Sequence, residues 1–380
     1  MKRMRAMALL LTAAFCSSMV LSAAAAGTVS GRENGIFGSI GQTLFDETEY
    51  HDSGSMSMPK LSVEELQQFM AENPTKLQGD VYDETPSCEA PYATGKVKQE
   101  VLQQAADRLN LLRRIAGLPA AELTSGLSEN AQYGAVILTR IGKNTHTPDR
   151  PGDMSRKFYQ EAYSATSSSC LAHMGTNYTG LHPEKKTLDG PAYAVDKLME
   201  DMLVPSLGHR RWLLSPRMGK TGIGYVGSIT LTGNYTARVE EYTLIKVQDR
   251  SASCNDYNFI AWPASGNFPA SLSGAVWSIS LNPQKFQQPK SGSVTITVTR
   301  QSDGKVWHLD KLGGEDGSLI VDNQTTDDYL GCLIFRPQDV LKDSPDNLCH
   351  GLYTVRVDGL VSASGRSVNT FEYQVNFVDA

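Results

Sequence analysis

Three runs of the sequence carry side chains able to do chemistry: Thr145-His146-Thr147-Pro148, Ala194 to Asp201, and Gly208-His209-Arg210-Arg211-Trp212. Two imidazoles and a carboxylate converging on one cleft can hold a divalent cation, zinc or calcium, with His146 and His209 as ligands, or can work as a proton-transfer pair. Asp201 lies seven residues after Ala194 and three after Leu198. A helix through that run turns Asp201 toward the apolar face and Glu200 away from it. A carboxylate on that face needs a cation or hydrogen-bond donors, because burying it bare is too costly. The competing reading is that His146 and His209 are hydrogen-bonded histidines pinning loops to the helix, since the runs lack the fixed local spacing of a motif such as HExxH.

Other signals carry less chemistry. Cys170 with His146, His173 or His209 has the composition of a nucleophile–base pair, against the plainer reading of a small buried hydrophobe or half of a disulfide. Arg210 and Arg211 can clamp the carboxylate or phosphate of a ligand; alternatively one packs on Trp212 or pairs with an acid. Gly222-Ile-Gly224-Tyr-Val-Gly227 matches GxGxxG but leads into the strand-like run Ser228 to Leu231, not a helix N-terminus, so dinucleotide binding is not indicated. Gly219-Lys220-Thr221 lacks the upstream glycine of a P-loop, and no GxSxG elbow is present.

The elements that must position these residues are legible as periodicities. Ser62-Val-Glu-Glu65 has capping-box spacing ahead of Leu66, Phe69 and Met70, which predicts a short helix stopped at Asn73-Pro74. Val101, Ala105, Leu109, Leu112 and Ala116 predict a helix over 97–116, ended by Gly117 and Pro119. Ala131, Ala135 and Leu138 predict a second over 128–141, ended by Gly142. A third starts at Asp189 with Pro191 in its first turn and carries Ala194, Leu198 and Met202 before Pro205. Two β-rich runs, 222–232 and 235–247, flank a hairpin break at Gly233-Asn234. Residues 251–270 read as a connector. Beyond it the period is two, with about seven strands expected, among them 276–281, 294–298, 319–321, 333–335, 353–357 and 371–377.

At 380 residues the chain exceeds what one core usually serves, so two domains with appendages are expected. The boundaries read as a signal peptide over 1–26, a loosely ordered segment with a short helix over 27–96, a first domain over 97–248, a connector over 249–270, and a β-sandwich over 271–380. The leader runs from Lys2, Arg3 and Arg5 through an apolar stretch to Ala23-Ala24-Ala25-Ala26. Its small-residue end and the interrupting Ser17, Ser18 and Ser22 argue against an uncleaved anchor, and no later segment is apolar enough to span a membrane. Export follows, with the protein secreted or at the cell surface. A net charge of −6 gives no electrostatic reason to expect nucleic acid. After leader removal Cys88, Cys170, Cys254, Cys332 and Cys349 remain, thinly spread, with Cys332–Cys349 the most plausible bridge.

A resemblance joins these pieces. Asn110-Leu-Leu-Arg113 with Gly117-Leu118, His146 before Thr-Pro, the Ala-Val-x-x-hydrophobic-x-x-acid helix and the Gly-His-x-x-x-hydrophobic run stand in the order of the CAP superfamily (SCP-like domain), which includes cysteine-rich secretory proteins, antigen-five allergens and pathogenesis-related proteins. Gly208 to Pro216 and Trp262-Pro-Ala-x-Gly266 resemble segments of the bacterial secreted branch. The resemblance covers roughly 98–247. It implies an α+β chain whose first domain is a three-layer α-β-α sandwich, here followed by an all-β sandwich of immunoglobulin-like size. It also implies a cleft with two histidines and two acids, a cation site in some members. His146 and His209 match the histidines, and Asp201 matches the helical acid. The second family acid falls at Ser167-Ser-Ser-Cys170-Leu171, which has no carboxylate; Glu161 and His173 are the candidates to replace it.

Two functions follow as expectations, beside a purely structural surface module, which predicts a filled cleft. The first is a non-enzymatic cleft binding a small ligand, peptide or cell-surface component, or a divalent cation. The second is an extracellular hydrolase acting on peptide or cell-wall polymer, with His209 as base to a metal-bound water or with Cys170 as nucleophile.

Overall fold

Ser62 opens the first helix as its spacing predicts: its hydroxyl accepts from Glu65 N and the Glu65 carboxylate accepts from Ser62 N, and the helix α1 runs Val63–Glu72. The structure, a computed structural model, describes residues 60–77, 79–202, 205–252, 257–324, 331–342, 344–365 and 370–380. The expected leader, the start of the segment that follows it, and Cys254 lie outside the described residues. The described chain is mixed α+β. No described helix is long and apolar enough to cross a membrane. From residue 60 onward the early segment is tied down, because Asn267 donates to Leu61 O at 3.0 Å and Gln67 donates to Asp379 O at 2.8 Å.

Beside the short pairs β1 (Tyr82–Glu84) with β2 (Lys96–Val97) and β3 (Glu122–Leu123) with β5 (Lys220–Thr221), the first half is built on an antiparallel sheet of β4 (Ser169–Thr179), β7 (Thr236–Lys246) and β6 (Ile223–Gly233), in the order β4-β7-β6. Alternation sends its side chains to two faces. Cys170, Ala172, Ile223, Tyr225 and Ile245 join the buried residues of α2 (Gln99–Ile115) and α5 (Pro191–Glu200). Leu171, Val226, Tyr242 and Leu244 join those of α3 (Ser125–Ile141) and α4 (Arg156–Ser167). Helices thus cover both faces. The glycines of the GxGxxG match serve this packing: a Cβ on Gly222 or Gly224 would sit 2.3 Å from the backbone of Leu127 or Ala131 on α3. Gly222 and Gly224 thus let a helix lie against a strand, while a Cβ on Gly227 would meet the Tyr225 and Leu188 side chains. Arg108 of α2 grips Asp196 of α5 through two bonds of 2.7 Å, fixing the helix that carries the site acid.

The helices follow their periodicities with shifts at the ends. α3 starts three residues early, at Ser125, and ends on Gly142 in the left-handed region (φ 61). α5 stops at Glu200 because Asp201 turns left-handed (φ 51), so the apolar stripe expected to extend to Met202 does not, and Met202 is 67% exposed. α4 had no sequence expectation. Its N-cap Ser155 accepts from Phe158 N, and Phe158, Ala162 and Ala165 fall on its inward face.

The β-rich half has two sheets, ordered β13-β14-β10-β8 and β12-β11-β15-β16-β9. These strands are β8 (Phe259–Trp262), β9 (Gly266–Pro269), β10 (Trp277–Leu281), β11 (Thr295–Arg300), β12 (Val306–Leu309), β13 (Gly317–Asp322), β14 (Gly331–Pro337), β15 (Gly351–Asp358) and β16 (Thr370–Val378). Rings meet between the sheets, as where Phe259 stacks on Phe371 at 4.5 Å and Trp277 lies 5.7 Å from Phe377. The run read as a connector supplies β8, paired to β10, and β9, paired in parallel to β16, so it belongs to both sheets. Its apolar Phe259-Ile-Ala-Trp262 is a strand buried at every position, which lacks the alternation that marked the others. Cys332 and Cys349 are both free, correcting the expected bridge. Cys332 faces Ser280 Oγ at 3.6 Å in one small cluster, while Cys349 belongs to the main core. That main cluster runs from Leu61 through Val101, Ile223 and Ile245 to Trp277 and Phe377, joining the two halves.

Candidate functional site

The site forms where α5 hands over to α6 (Gly208–Leu213). Aspartate tolerates the left-handed conformation better than most residues, and at position 201 it lets the chain turn back. Its buried carboxylate then accepts from His209 N at 2.9 Å and Arg210 N at 3.2 Å through Oδ2, capping α6, and from His209 Nδ1 at 2.8 Å through Oδ1. The inward-facing acid of the sequence reading is therefore satisfied entirely by donors, as burial requires. Because the carboxylate accepts at Nδ1, that nitrogen of His209 carries the hydrogen, and Nε2 keeps its lone pair in the neutral ring.

His146 reaches the same state by another route. Its Nδ1 lies 2.7 Å from Thr166 O near the end of α4, and Thr166 Oγ1 donates back to His146 O at 3.2 Å. A carbonyl only accepts, so Nδ1 again carries the hydrogen and Nε2 is the acceptor. Both histidines are thus hydrogen-bonded through Nδ1, His209 to the residue ending α5 and His146 to α4, and both also line one cleft of about 480 Å³. Its other walls include Ser167, Ser168, Ser169, Cys170, Gly208, Trp212 and the Val247-Gln248 segment that follows β7. The serine run at which the resemblance would place a second acid borders the cleft. Glu161 and His173 do not: Glu161 accepts from Asn130, and His173 pairs with Glu240 at 2.8 Å and stacks on Tyr242.

Cys170 is buried, and burial first, then the Asp201 charge, push its thiol far above the usual range, which leaves no thiolate for attack. The arginine doublet is not a ligand clamp. Arg210 donates to Met199 O, Glu200 O, Val276 O and Ser278 Oγ, and Arg211 pairs with Asp322 at 3.0 Å and donates to Gln324 O. Both are buried and fasten α6 to the β-rich half, so the acid-pairing alternative holds for Arg211. Trp212 meets the Arg250 guanidinium instead, 4.8 Å over its ring.

The residue that sequence reasoning missed is Lys246. It is 8% exposed at the end of β7 and donates to Asn130 Oδ1 at 2.9 Å and to Ser168 Oγ. Period two gave the signal, since Lys246 shares the inward face with Tyr242 and Leu244. Desolvation lowers its pKa from 10.5 to about 8. The unfolded chain therefore holds this proton up to pH 10.5 and the folded chain only to about pH 8. The buried charge weakens the fold at neutral pH, and the deficit vanishes as pH rises through that window. Relative to Lys246→Gln, wild-type stability in urea should gain about 3 kcal/mol across it. A difference flat with pH would show that the ammonium is solvated.

No family model matches the chain, and no curated protein matches it.

Proposed function

We propose that this is an exported protein of CAP type whose cleft binds a small polar ligand or peptide segment without turning it over. On this reading the first half is the family's three-layer α-β-α sandwich, and the second an immunoglobulin-like sandwich. The observation that carries the binding reading is the pair of imidazoles in one cleft, each with Nδ1 held by protein so that Nε2 is left to meet a ligand donor. A resident cation fits poorly. Both oxygens of Asp201 are occupied, and among the described residues no three His, Cys, Asp or Glu side chains gather as ligands. Two imidazoles fall short of the three protein ligands of a zinc site, and calcium needs six or more oxygens.

The Asp201–His209 pair is the observation favouring hydrolysis, since a carboxylate-oriented imidazole can serve as a general base. The cleft lacks an activated thiol beside it. The test is a thermal-shift and product screen of the chain from Gly27 against short peptides and cell-wall fragments, beside His146→Ala/His209→Ala. Compounds that raise the wild-type melting temperature, leave the variant unmoved and emerge unchanged are the expected result. Product formed by wild type and abolished in His146→Ala/His209→Ala would replace binding with hydrolysis; identical profiles would leave both histidines as loop pins.

A further inference from the structure

We propose that the outer half of β6 is a self-pairing edge: Ile229 to Leu231 joins the same stretch of a second copy of this chain, antiparallel, about a twofold axis through Thr230.

β6 ends its sheet, with β7 on one side and no described strand on the other. Backbone N–H and C=O groups along a strand point alternately to its two sides. Lys246 N donates to Gly222 O at 2.8 Å, so the even positions of β6 face β7 and the odd ones face outward. Over the first part of the strand, side chains stand in for a neighbouring strand. Ile223 N donates to Ser128 Oγ at 3.1 Å, Tyr225 N to Gln132 Oε1 at 2.7 Å and Gly227 N to the Tyr82 hydroxyl at 2.8 Å, while Tyr225 O accepts from Gln132 Nε2 at 2.9 Å. Past Gly227 this cover stops. Ser228 to Gly233 are exposed, and no described residue meets the outward N–H or C=O of Ile229 or Leu231.

An open edge is ordinarily blunted by charge, proline or a bulge. Ser228-Ile-Thr-Leu-Thr232 has neither charge nor proline, and the register shift of β6 on β7 falls only after Leu231. The occupant follows from the symmetry of that stretch. Antiparallel pairing about Thr230 sets Ile229 opposite the second copy's Leu231 and Leu231 opposite its Ile229, and each facing pair exchanges both of its hydrogen bonds. The face bearing these side chains is already apolar further in. Val239 of β7, opposite Ile229, is 8% exposed and Ala237, opposite Leu231, is 2% exposed, whereas Ile229 and Leu231 themselves are 38% and 57% exposed. The second copy lays its Leu231 against Ile229 and continues that apolar row, while on the other face Thr230 meets its own counterpart. A pairing this short buries less than the roughly 1,200 Å² of a standard interface, so the dimer is weak, with a dissociation constant on the order of 100 μM.

The experiment is sedimentation velocity of the chain from Gly27, from low micromolar to millimolar concentration, on wild type, Leu231→Lys and Ile229→Pro, beside oxidative cross-linking of Thr230→Cys and Ser228→Cys. Leu231 is exposed, so lysine there leaves the fold intact; Ile229 N points outward, so proline removes an edge donor without touching the ladder to β7. Wild type should pass from monomer to dimer across the range, and each substitution should weaken the dimer by about tenfold or more. A directly opposed pair of this kind holds its Cα atoms roughly 4.5 Å apart, within disulfide reach, so Thr230→Cys should cross-link to its counterpart above the wild-type background. Ser228→Cys, which faces the second copy's Thr232, should not. Wild type that stays monomeric at millimolar concentration overturns the proposal, and protection of its Ile229 and Leu231 amides from hydrogen exchange would then hand the edge to another segment of the same chain. A dimer that survives Leu231→Lys, or a Thr230→Cys variant that cross-links no more than wild type, overturns pairing about Thr230.

Discussion

Arg113→Ala is expected to destabilise the chain by about 4 kcal/mol, read as a lower urea midpoint at unchanged slope. Arg113 is fully buried on α2, and its guanidinium donates to Pro119 O, Leu213 O, Ser215 O and Met218 O at 2.8–3.1 Å. The last three carbonyls belong to the end of α6 and the chain leaving it, where Ser215 O also accepts from Met218 N at 3.3 Å. Alanine would orphan several of them in the interior and open a cavity, and each unsatisfied group alone costs about 1–3 kcal/mol. Arg113→Lys should recover only a part, since a point ammonium cannot span four carbonyls set around a planar fork. A loss below about 1 kcal/mol for Arg113→Ala would mean that water replaces the guanidinium and that this loop is not held from α2.

That interaction shows what the sequence could and could not say. Asn110 to Arg113 and Gly208 to Pro216 stood out as separate runs. Nothing in spacing reveals that the arginine of the first binds the carbonyls of the second, about a hundred positions away. Helix faces were legible because Val101, Ala105, Leu109 and Leu112 repeat on one side whatever they pack against. Ends were less so: Asp201 reads as one more helical residue until its left-handed turn is seen, and only that turn aims its carboxylate at the α6 backbone. α4 escaped notice although Phe158, Ala162 and Ala165 keep helical spacing, because tyrosine and serine between them dilute the stripe. His146 and His209 line one cleft, while Asp201 is not in its lining and is bonded to His209. Their hydrogen-bond state depends on a carbonyl, Thr166 O, that every sequence possesses and none advertises. Lys246 was hidden for the opposite reason, since a lysine ending a strand ordinarily marks a solvated edge.

Arg210→Ala is expected to cost about 4 kcal/mol as well, and unlike Arg113→Ala it should also change the cleft. Asp201 at the end of α5 caps the start of α6, while Arg210 of α6 caps the end of α5 through Met199 O at 2.6 Å and Glu200 O at 2.9 Å. Each helix thus supplies the charge that the other's terminus favours, an acid at an N-terminus and a cation at a C-terminus. The same guanidinium reaches β10 through Val276 O and Ser278 Oγ, so one side chain sets α5, α6 and a β-rich sheet against one another. Burial lowers the Arg210 pKa to about 10, against the pull of Asp201, and the group stays charged at neutral pH. Alanine leaves four acceptors without their donor and removes a buried cation that interacts with the Asp201 carboxylate. The Asp201–His209 bond should then loosen, visible by NMR as a weakened, faster-exchanging His209 Nδ1–H signal under conditions where the variant is still folded. His146 draws its hydrogen bond from α4, and its own Nδ1–H should be unaffected. Loss of both signals together would mean the cleft collapses as a unit; loss of neither would show that α6 keeps its place without the Arg210 guanidinium.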